Sequence, residues 1–199
     1  MELHFAKGTI AVAVAIGLEE AGVAYEPMRV DFGANEQRGA AYLALNPKGR
    51  VPVLVDGDEV LTEAGAILEY AAPALVPEGR LAQARMREVM YYLASTMHVA
   101  HAHKMRGSRW ADEEASLADM KRKVPETVGA CCAYLEGALV LEPFAVGDTL
   151  TCADPYLYVL LNWCDGDGVD LSDYPRLLGH FEMMSARPSV AAVREKGIL

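Results

Sequence analysis

The pattern of hydrophobic and polar positions divides the chain into two parts. In the first part, short apolar segments predict strands at 3–6, 25–30, 53–55 and 59–61. Longer apolar stretches predict helices at 11–21, 35–45 and 64–75, and Gly22 follows the first of them in the position that commonly ends a helix. Asp56-Gly57-Asp58 predicts a hairpin turn between the last two strands. The order β-α-β-α-β-β-α predicts an α/β domain in which helices cover a mixed sheet.

The second part lacks a strand pattern. Val76-Pro77-Glu78-Gly79 interrupts the periodicity and predicts a linker. Helical periodicity then predicts helices at 81–105, 112–139, 152–163, 174–186 and 190–195. We therefore expect two domains, an α/β domain at 1–76 and an all-helical bundle at 82–199.

Composition narrows the classes of protein that the chain can represent. It has 199 residues, of which 52% are hydrophobic and 23% charged, as in globular proteins. The formal net charge of -10 argues against binding to nucleic acid or to an anionic membrane. Four cysteines without a C-x-x-C spacing favour reduced thiols and a cytoplasmic protein. The apolar run at 10–18 could also be a signal peptide, but Glu2 before it and Glu19-Glu20 after it favour a buried helix.

The segment Asn46-Pro47-Lys48-Gly49-Arg50-Val51-Pro52-Val53-Leu54 is a candidate peptide-binding element. A cis bond before proline costs only about 0.5–1 kcal/mol, and a cis Val51–Pro52 bond would turn the Val51 N–H and C=O outward. These groups could then pair with a bound peptide in the manner of an added strand. The alternative is an ordinary proline at the start of a strand.

Glu63 and Ala64 begin the next predicted helix, with Thr62 as a plausible N-cap. Free N–H groups at a helix N-terminus bind a carboxylate, and the Glu63 side chain could bind an ammonium beside it. The pair predicts a site for the end of a small peptide that carries both groups. The alternative is that Glu63 only favours the helix dipole.

In combination, four segments make the chain resemble the glutathione S-transferases, most closely the bacterial beta-type group. They are LHFAKGTIAVAVAIGLEEAG, NPKGRVPVL, LTEAGAILEYAA and TCADPYLY. The resemblance implies a thioredoxin-like N-terminal domain, an all-helical C-terminal domain, a homodimer, and glutathione bound between the domains as a co-substrate without another cofactor. It further implies that glutathione contacts Lys48, Val51, Pro52, Glu63 and Ala64. In TCADPYLY, Asp154 is expected to accept a hydrogen bond from the Thr151 N–H in a capping box.

The positions where this family usually carries an activating hydroxyl or thiol match Phe5, Ile10 and Ala11, none of which can donate from its side chain. Thr9 is a candidate replacement because it lies near the N-terminus of the first helix, although it could be only an N-cap. His98 matches a histidine that beta-type members place near the sulfur, and the alternative is a packed histidine. Tyr91 could offer a phenol on the same helix face as His98, toward glutathione.

A metal site is not expected. His98 and His101 share a helix face, but His103 does not, and no acidic or cysteine ligand completes the set. The acidic loop at 165–170 fails as a calcium loop because its twelfth position is Arg176.

Two functions remain open from the sequence. The first is an enzyme, a glutathione transferase that uses Thr9 and His98 to conjugate glutathione to a small electrophile. The second is a non-catalytic protein of the same fold that binds glutathione or another protein after losing thiol activation. The identity of the electrophile is not encoded in any of these motifs.

Overall fold

The computed structural model describes all residues from 1 to 199, and its strands all lie in the first part of the chain. The strands are β1 (Glu2–Phe5), β2 (Glu26–Arg29), β3 (Val53–Asp56) and β4 (Glu59–Thr62). The α-helices are α1 (Ala11–Glu20), α2 (Ala40–Leu45), α3 (Ala64–Ala71), α4 (Arg80–Tyr92), α5 (His98–Arg106), α6 (Glu114–Ala138), α7 (Ala153–Trp163), α8 (Pro175–Ser185) and α9 (Pro188–Glu195). The prediction of an α/β domain followed by an all-helical one is confirmed.

The four strands form one mixed sheet in the order β2-β1-β3-β4. β1 and β2 are parallel because α1 connects them as a crossover helix, whereas β3 runs antiparallel to both β1 and β4. Leu3, on β1, pairs with Pro27 on one side and Leu54 on the other. Gly57, at φ +61°, is the first of the two residues that close the β3–β4 hairpin.

Helix α1 lies at the centre of the molecule. Its residues from Ala11 to Leu18 are all buried, as the apolar run predicted. Gly22, at φ +65°, ends the helix: its N–H donates to the Glu19 carbonyl, and the Val23 N–H donates to the Leu18 carbonyl. α1 packs against α3 of the first part and against α7 and α9 of the second. Helix α1 is therefore packed between the first part of the chain and the second.

Two predicted helices are shorter than expected. The segment 35–45 is a 3₁₀ turn at Glu36–Arg38 and then α2, because Gly39 adopts an extended conformation between them. Helix α3 ends at Ala71, and the chain continues as a 3₁₀ turn at Pro73–Leu75. Proline disfavours the helical conformation of the residue before it, which explains the break at Ala72.

The long helix predicted at 81–105 is present but interrupted. Its middle, Leu93–Met97, is a π-helical turn between α4 and α5. A π-turn holds more residues than an α-turn, so residues on its two sides do not keep α-helical phase. The other predicted helices of the second part are confirmed to within a few residues, and its only β pairing is an isolated bridge between Phe144 and Gly147.

The two parts are joined by 76–79, which contains neither helix nor strand, and by hydrogen bonds between them. The Cys152 N–H donates to the Leu75 carbonyl at 3.1 Å.

At the start of α7, buried Asp154 accepts the Thr151 N–H at 2.7 Å, as predicted for the capping box. The exact domain boundaries expected from the sequence, at residues 76 and 82, remain a prediction. No helix has the length and apolar character needed to cross a membrane.

Candidate active site

A cleft of about 1030 Å³ opens between the two parts of the chain. Its walls come from the loop before α1, the segment 46–52, the start of α3, helix α5 with the turn after it, and helix α7. This volume is at the upper end of the range for small-molecule sites, so the cleft has room for two small ligands. Seven of the eight residues predicted for the site line it: Thr9, Lys48, Val51, Pro52, Glu63, Ala64 and His98.

Buried Asn46 shapes the segment that carries Val51. Its side-chain amide donates to the Arg50 carbonyl at 2.8 Å, and its side-chain oxygen accepts the Lys48 N–H at 3.1 Å. The Tyr42 hydroxyl donates to the same Arg50 carbonyl at 2.8 Å. Gly49 is required here because its φ is +60° and a Cβ would lie 2.9 Å from the Gln37 carbonyl oxygen. The Asn-Pro-x-Gly pattern thus fixes the backbone just before Val51.

The backbone of Val51 faces the cleft and makes no hydrogen bond to the rest of the protein. Neither its N–H nor its C=O takes part in a hydrogen bond, and the Val51–Pro52 peptide bond is cis. An extended peptide lying along this segment could bond to both groups of Val51 in the way that an edge strand pairs with a neighbour.

The start of α3 offers three free donors. The N–H groups of Ala64, Gly65 and Ala66 donate to no protein acceptor, and unpaired donors at a helix N-terminus are the kind of site that favours an anion. Glu63 precedes them at φ +72° and ψ +116°, which is a rare conformation for a residue with a side chain.

The expectation that Thr62 caps α3 is wrong. No side chain caps this helix, and the Thr62 hydroxyl instead accepts a hydrogen bond from Lys48 Nζ at 2.8 Å. Lys48 Nζ also lies 2.6 Å from the Glu63 carboxylate. The Glu63 side chain is 72% exposed, so its carboxylate remains accessible to a second cation from the cleft.

The loop before α1 presents a similar set of free donors. The N–H groups of Ile10 and Ala11 donate to no protein acceptor, and Ile10 lines the cleft. The Thr9 hydroxyl donates to the Ala6 carbonyl at 2.7 Å and accepts from no helix N–H, so the N-cap role for Thr9 is wrong. A hydroxyl has a single proton, and the Thr9 hydroxyl uses it in the hydrogen bond to the Ala6 carbonyl. That proton is therefore not available to a ligand in the cleft.

Trp163, on α7, connects the second part of the chain to this loop. Its indole N–H donates to the Gly8 carbonyl at 2.9 Å, while the Gly8 N–H donates to the Ile198 carbonyl. The edges of both His98 and His101 contact the indole, with ring centroids 5.2 and 5.4 Å away. Trp163 thereby fixes the loop before α1 and the two histidines of α5 with respect to each other.

His98 is a neutral imidazole that faces the cleft. Burial, then the positive charges of nearby groups including His101 and Arg109, lower the pKa of His98 to about 4. Its ring makes no hydrogen bond to protein. A neutral imidazole has one N–H donor and one acceptor nitrogen, both available to a ligand.

His101 is held differently from His98. It is buried, and its Nδ1 bonds the Asp167 carboxylate, which also lies 3.1 Å from Lys104 Nζ. Burial alone would raise the pKa of Asp167, but hydrogen bonds from His101 and Lys104 outweigh burial and lower it. Asp167 therefore neutralises Lys104 at the edge of the cleft.

The assignment of Tyr91 to the glutathione site is wrong. Its side chain is 69% exposed and lies outside the cleft, beside Leu81, Arg87 and Glu88 of the same helix. The prediction assumed that positions 91 and 98 share an α-helical face. The π-turn at Leu93–Met97 lies between them and rotates Tyr91 away.

Tyr156 is a cleft residue that the sequence analysis missed. It lies on α7, is 4% exposed, and its hydroxyl makes no hydrogen bond to protein. Burial and the negative charge of Glu63 raise the pKa of Tyr156, so the phenol stays protonated at neutral pH. It is a hydrogen-bond donor near Glu63, and its place in the TCADPYLY segment was the available signal.

The cleft also contains positive charges that the motifs did not reveal. Eight of its lining residues are Lys or Arg and three are Asp or Glu, so the lining has a formal charge of +5. The whole chain has a formal net charge of -10, so the residues outside the lining have a formal net charge of -15. The eight cationic residues are Lys7, Arg29, Arg38, Lys48, Arg50, Lys104, Arg106 and Arg109.

Family models match both parts of the chain. The model described as "Glutathione S-transferase, N-terminal domain" matches residues 3–73. The model described as "Glutathione S-transferase, C-terminal domain" matches residues 101–197.

Individual proteins match over almost the full length. A glutathione transferase homologue from Sulfitobacter, solved with bound glutathione, is 54% identical with a TM-score of 0.96, covering 100% of this chain and 98% of that one. Glutathione S-transferase GST-4.5 of Xanthomonas campestris is 32% identical, covering 100% of both chains. The maleylacetoacetate isomerase of Pseudomonas aeruginosa is 30% identical, covering 95% of this chain and 93% of its own length.

Proposed function

The chain belongs to the glutathione S-transferase family, and we propose that it conjugates reduced glutathione to a small electrophile in the cleft between its two parts. One observation carries the proposal: Ile10 and Ala64, which begin two sets of backbone N–H groups without protein acceptors, line the same cleft as Val51, whose backbone makes no hydrogen bond to protein. Two donor sets with a strand-like edge between them suit a tripeptide that has an anionic group at one end and a thiolate in its middle.

The γ-glutamyl end of glutathione is assigned to the start of α3. Its carboxylate accepts from the N–H groups of Ala64, Gly65 and Ala66, and its ammonium binds the Glu63 carboxylate. Lys48 already contacts Glu63 and orients it, and Tyr156 contributes a phenol from the opposite wall. The cysteinyl residue pairs with Val51, next to Pro52. That glutathione is the ligand is supported by the homologue from Sulfitobacter, which was solved with bound glutathione.

The thiol then lies toward the N-terminus of α1. Lowering a thiol pKa by about two units requires about 2.7 kcal/mol in favour of the thiolate. The free N–H groups of Ile10 and Ala11, together with the helix dipole, stabilise an anion there without a side-chain hydroxyl. This accounts for activation although Phe5, Ile10 and Ala11 replace the family's usual tyrosine, serine and cysteine.

Thr9 and His98 complete the proposed machinery. Thr9 positions the loop, because its hydroxyl bonds the Ala6 carbonyl. His98 contacts the sulfur through its neutral imidazole and donates its N–H to the thiolate, since a group with a pKa of about 4 does not retain a thiol proton at neutral pH. In conjugation, the thiolate sulfur forms a bond to the electrophilic carbon, the leaving group departs with its electron pair, and the thiol proton passes to solvent.

The isomerase relative supports a second candidate. In glutathione-dependent isomerisation the thiolate adds to a conjugated double bond, the resulting single bond rotates, and the sulfur leaves with its electron pair. Glutathione is then recovered unchanged. Free thiol falls during conjugation and stays constant during isomerisation, so a thiol assay separates the two reactions.

We also propose a homodimer. Its support is the outer surface of α3 and α4, where Tyr70, Leu81 and Tyr91 are 50%, 73% and 69% exposed. A contiguous exposed apolar patch rimmed by polar residues is typical of a protein–protein interface. Light scattering of Tyr91→Glu should give a smaller mass than the wild type, whereas an unchanged mass would exclude this surface.

The proposed function is tested by two measurements on the wild type. Calorimetry should show saturable binding of reduced glutathione at up to millimolar ligand, and a neutral chlorodinitrobenzene should be conjugated faster than in buffer. Binding without turnover would favour the non-catalytic alternative. Absence of binding would contradict the assignment of the cleft.

A further inference from the structure

Four arginines in the cleft have no ion-pair or hydrogen-bond partner in the protein, although the Arg106 guanidinium lies over the Phe32 ring, 5.4 Å from its centroid. We call Arg38, Arg50, Arg106 and Arg109 the arginine cluster. None of their guanidinium groups forms an ion pair or donates a hydrogen bond to another residue. By contrast, Arg87 and Arg187, outside the cleft, each bond a carboxylate through two nitrogens. The cluster is therefore not a structural ion-pair network.

The members of the cluster are close enough to repel one another. Burial, and then the positive charges of the other three members, lower the pKa of Arg109. The same field reaches His98, whose pKa is lowered in part by Arg109 and Arg50. Guanidinium groups that repel one another without a counter-charge form an anion-binding site, since an oxyanion relieves the repulsion and accepts from their forked donors.

Glutathione alone does not neutralise this cleft. Once ionised it has two carboxylates, one thiolate and one ammonium, a net charge of about -2. The lining has a formal charge of +5 before any ligand binds. One carboxylate is assigned to the start of α3 and the thiolate to the start of α1, where backbone donors bind them. Positive charge is thus left over on the opposite wall.

The residual charge lies where the electrophile would bind. Arg106 ends α5, and Arg109 lies in the turn that follows it, on the same wall as His98. Trp110 is next in the chain, is 48% exposed, and lines the cleft with Met105. The wall therefore combines a flat apolar surface with two guanidinium groups.

We propose that the second substrate is an electrophile that carries a carboxylate, and that Arg109 and Arg106 bind this group while Trp110 contacts the unsaturated body of the molecule. The proposal rests on the proposed function, because the electrophile reacts with glutathione in the same cleft. The other two members of the cluster, Arg38 and Arg50, lie on the opposite wall. They bind the glycyl carboxylate of glutathione in this proposal.

The test compares a chlorodinitrobenzoate with its methyl ester, two electrophiles with the same reactive carbon and different charge. In both, the thiolate sulfur bonds the chlorine-bearing carbon and chloride leaves with the bonding electrons. In the wild type we expect kcat/KM, divided by each compound's uncatalysed rate with glutathione, to be about tenfold larger for the benzoate than for the ester, a typical effect of a charged hydrogen bond. The ratio should fall to about one in Arg109→Gln and at high salt.

A matched control is Arg122→Gln, since Arg122 is an exposed arginine of α6 outside the cleft. It should keep the wild-type ratio. Equal values of this normalised kcat/KM for acid and ester in the wild type would overturn the proposal, as would a ratio that neither Arg109→Gln nor Arg106→Gln changes.

A binding measurement separates this proposal from the proposed function. Dinitrobenzoate without chlorine cannot react, and calorimetry in the presence of glutathione should show it binding at least about tenfold more tightly than its methyl ester. Loss of this difference in Arg109→Gln supports the anion site even if turnover is absent. Equal or undetectable binding of both compounds by glutathione-loaded protein overturns it.

Discussion

The indole N–H of Trp163 donates to the carbonyl of Gly8 at 2.9 Å, although 155 residues separate them in the chain. Gly8 lies in the loop that leads into α1, and Trp163 also contacts the rings of His98 and His101. One hydrogen bond therefore links the free donors of Ile10 and Ala11 to the histidine across the cleft. The two walls of the thiol site are positioned by one side chain.

Trp163→Phe should impair both stability and catalysis. The substitution keeps an aromatic ring but leaves the Gly8 carbonyl without its donor, which costs about 1 kcal/mol in the free energy of unfolding. Because the loop before α1 loses its connection to α7, kcat should fall more than the affinity for glutathione. Chemical denaturation and steady-state kinetics measure the two effects. Trp110→Phe is the control for stability, since the Trp110 indole N–H makes no hydrogen bond to protein.

Glu63→Ala should weaken glutathione binding by about tenfold or more, because the ammonium of the γ-glutamyl end loses a charged partner. Calorimetry with glutathione, and with an analogue that lacks the α-amino group, isolates this contact. The wild type should bind the analogue more weakly than glutathione, and the variant should bind both alike. Glu59→Ala, on exposed β4, is the control. Retention of the wild-type preference by Glu63→Ala would place the ammonium elsewhere.

Thr9→Val distinguishes a donor to the sulfur from a residue that supports the loop. If backbone N–H groups stabilise the thiolate, loss of the hydroxyl removes only the bond to Ala6, and kcat/KM should fall by less than about threefold. A direct donor to an anion would cost about tenfold or more. The valine variant keeps the side-chain shape, so a tenfold loss without a change in the unfolding transition would assign the sulfur contact to Thr9.

The lowered pKa of His98 predicts that the free energy of unfolding depends on pH in a specific way. Its pKa is about 4 in the folded protein and close to 6.5 when unfolded, so the unfolded chain binds more protons between these values. The contribution of His98 to stability is therefore present above about pH 6.5 and is lost as the pH falls toward 4, by up to about 3 kcal/mol. Urea unfolding between these pH values should show a smaller pH dependence for His98→Gln than for the wild type.

The same pKa can be measured on the imidazole itself, apart from the thiol. Since burial lowers the pKa of His98 to about 4, an NMR titration of the histidines in the ligand-free protein should show no ionisation near 6.5 that is absent from His98→Gln. If a resonance titrates near 6.5 in the wild type and is missing in the variant, the environment of His98 is not the one described here.

Much of the fold could be predicted because each signal acts locally. Gly22, the Asp-Gly hairpin and the apolar run of α1 determine their own elements, and the Asn46-to-Leu54 motif builds its loop through contacts among its own residues and Tyr42. The donors of α1 and α3 were also accessible to prediction, since every helix N-terminus leaves N–H groups unpaired.

The errors and omissions depend on three-dimensional contacts. The predicted helix face of Tyr91 is wrong because no local sequence signal indicates the π-turn at Leu93–Met97. The predicted cap at Thr62 is absent because Lys48, 14 residues earlier in the chain, donates to the Thr62 hydroxyl. The arginine cluster is scattered between positions 38 and 109, and a chain with a net charge of -10 conceals it. Only the fold reveals that these positive charges face one cleft.

The measurement that tests the central claim most directly is the pKa of the glutathione thiol in the complex, followed by the ultraviolet absorbance of the thiolate during a pH titration. Binding near the N-terminus of α1 and neutral His98 should lower this pKa from about 8.5, the usual value of a cysteine thiol, to about 6.5. Thr9→Val should retain most of this shift. A bound thiol that titrates like free glutathione would contradict the account, because the cleft would then bind the tripeptide without activating it.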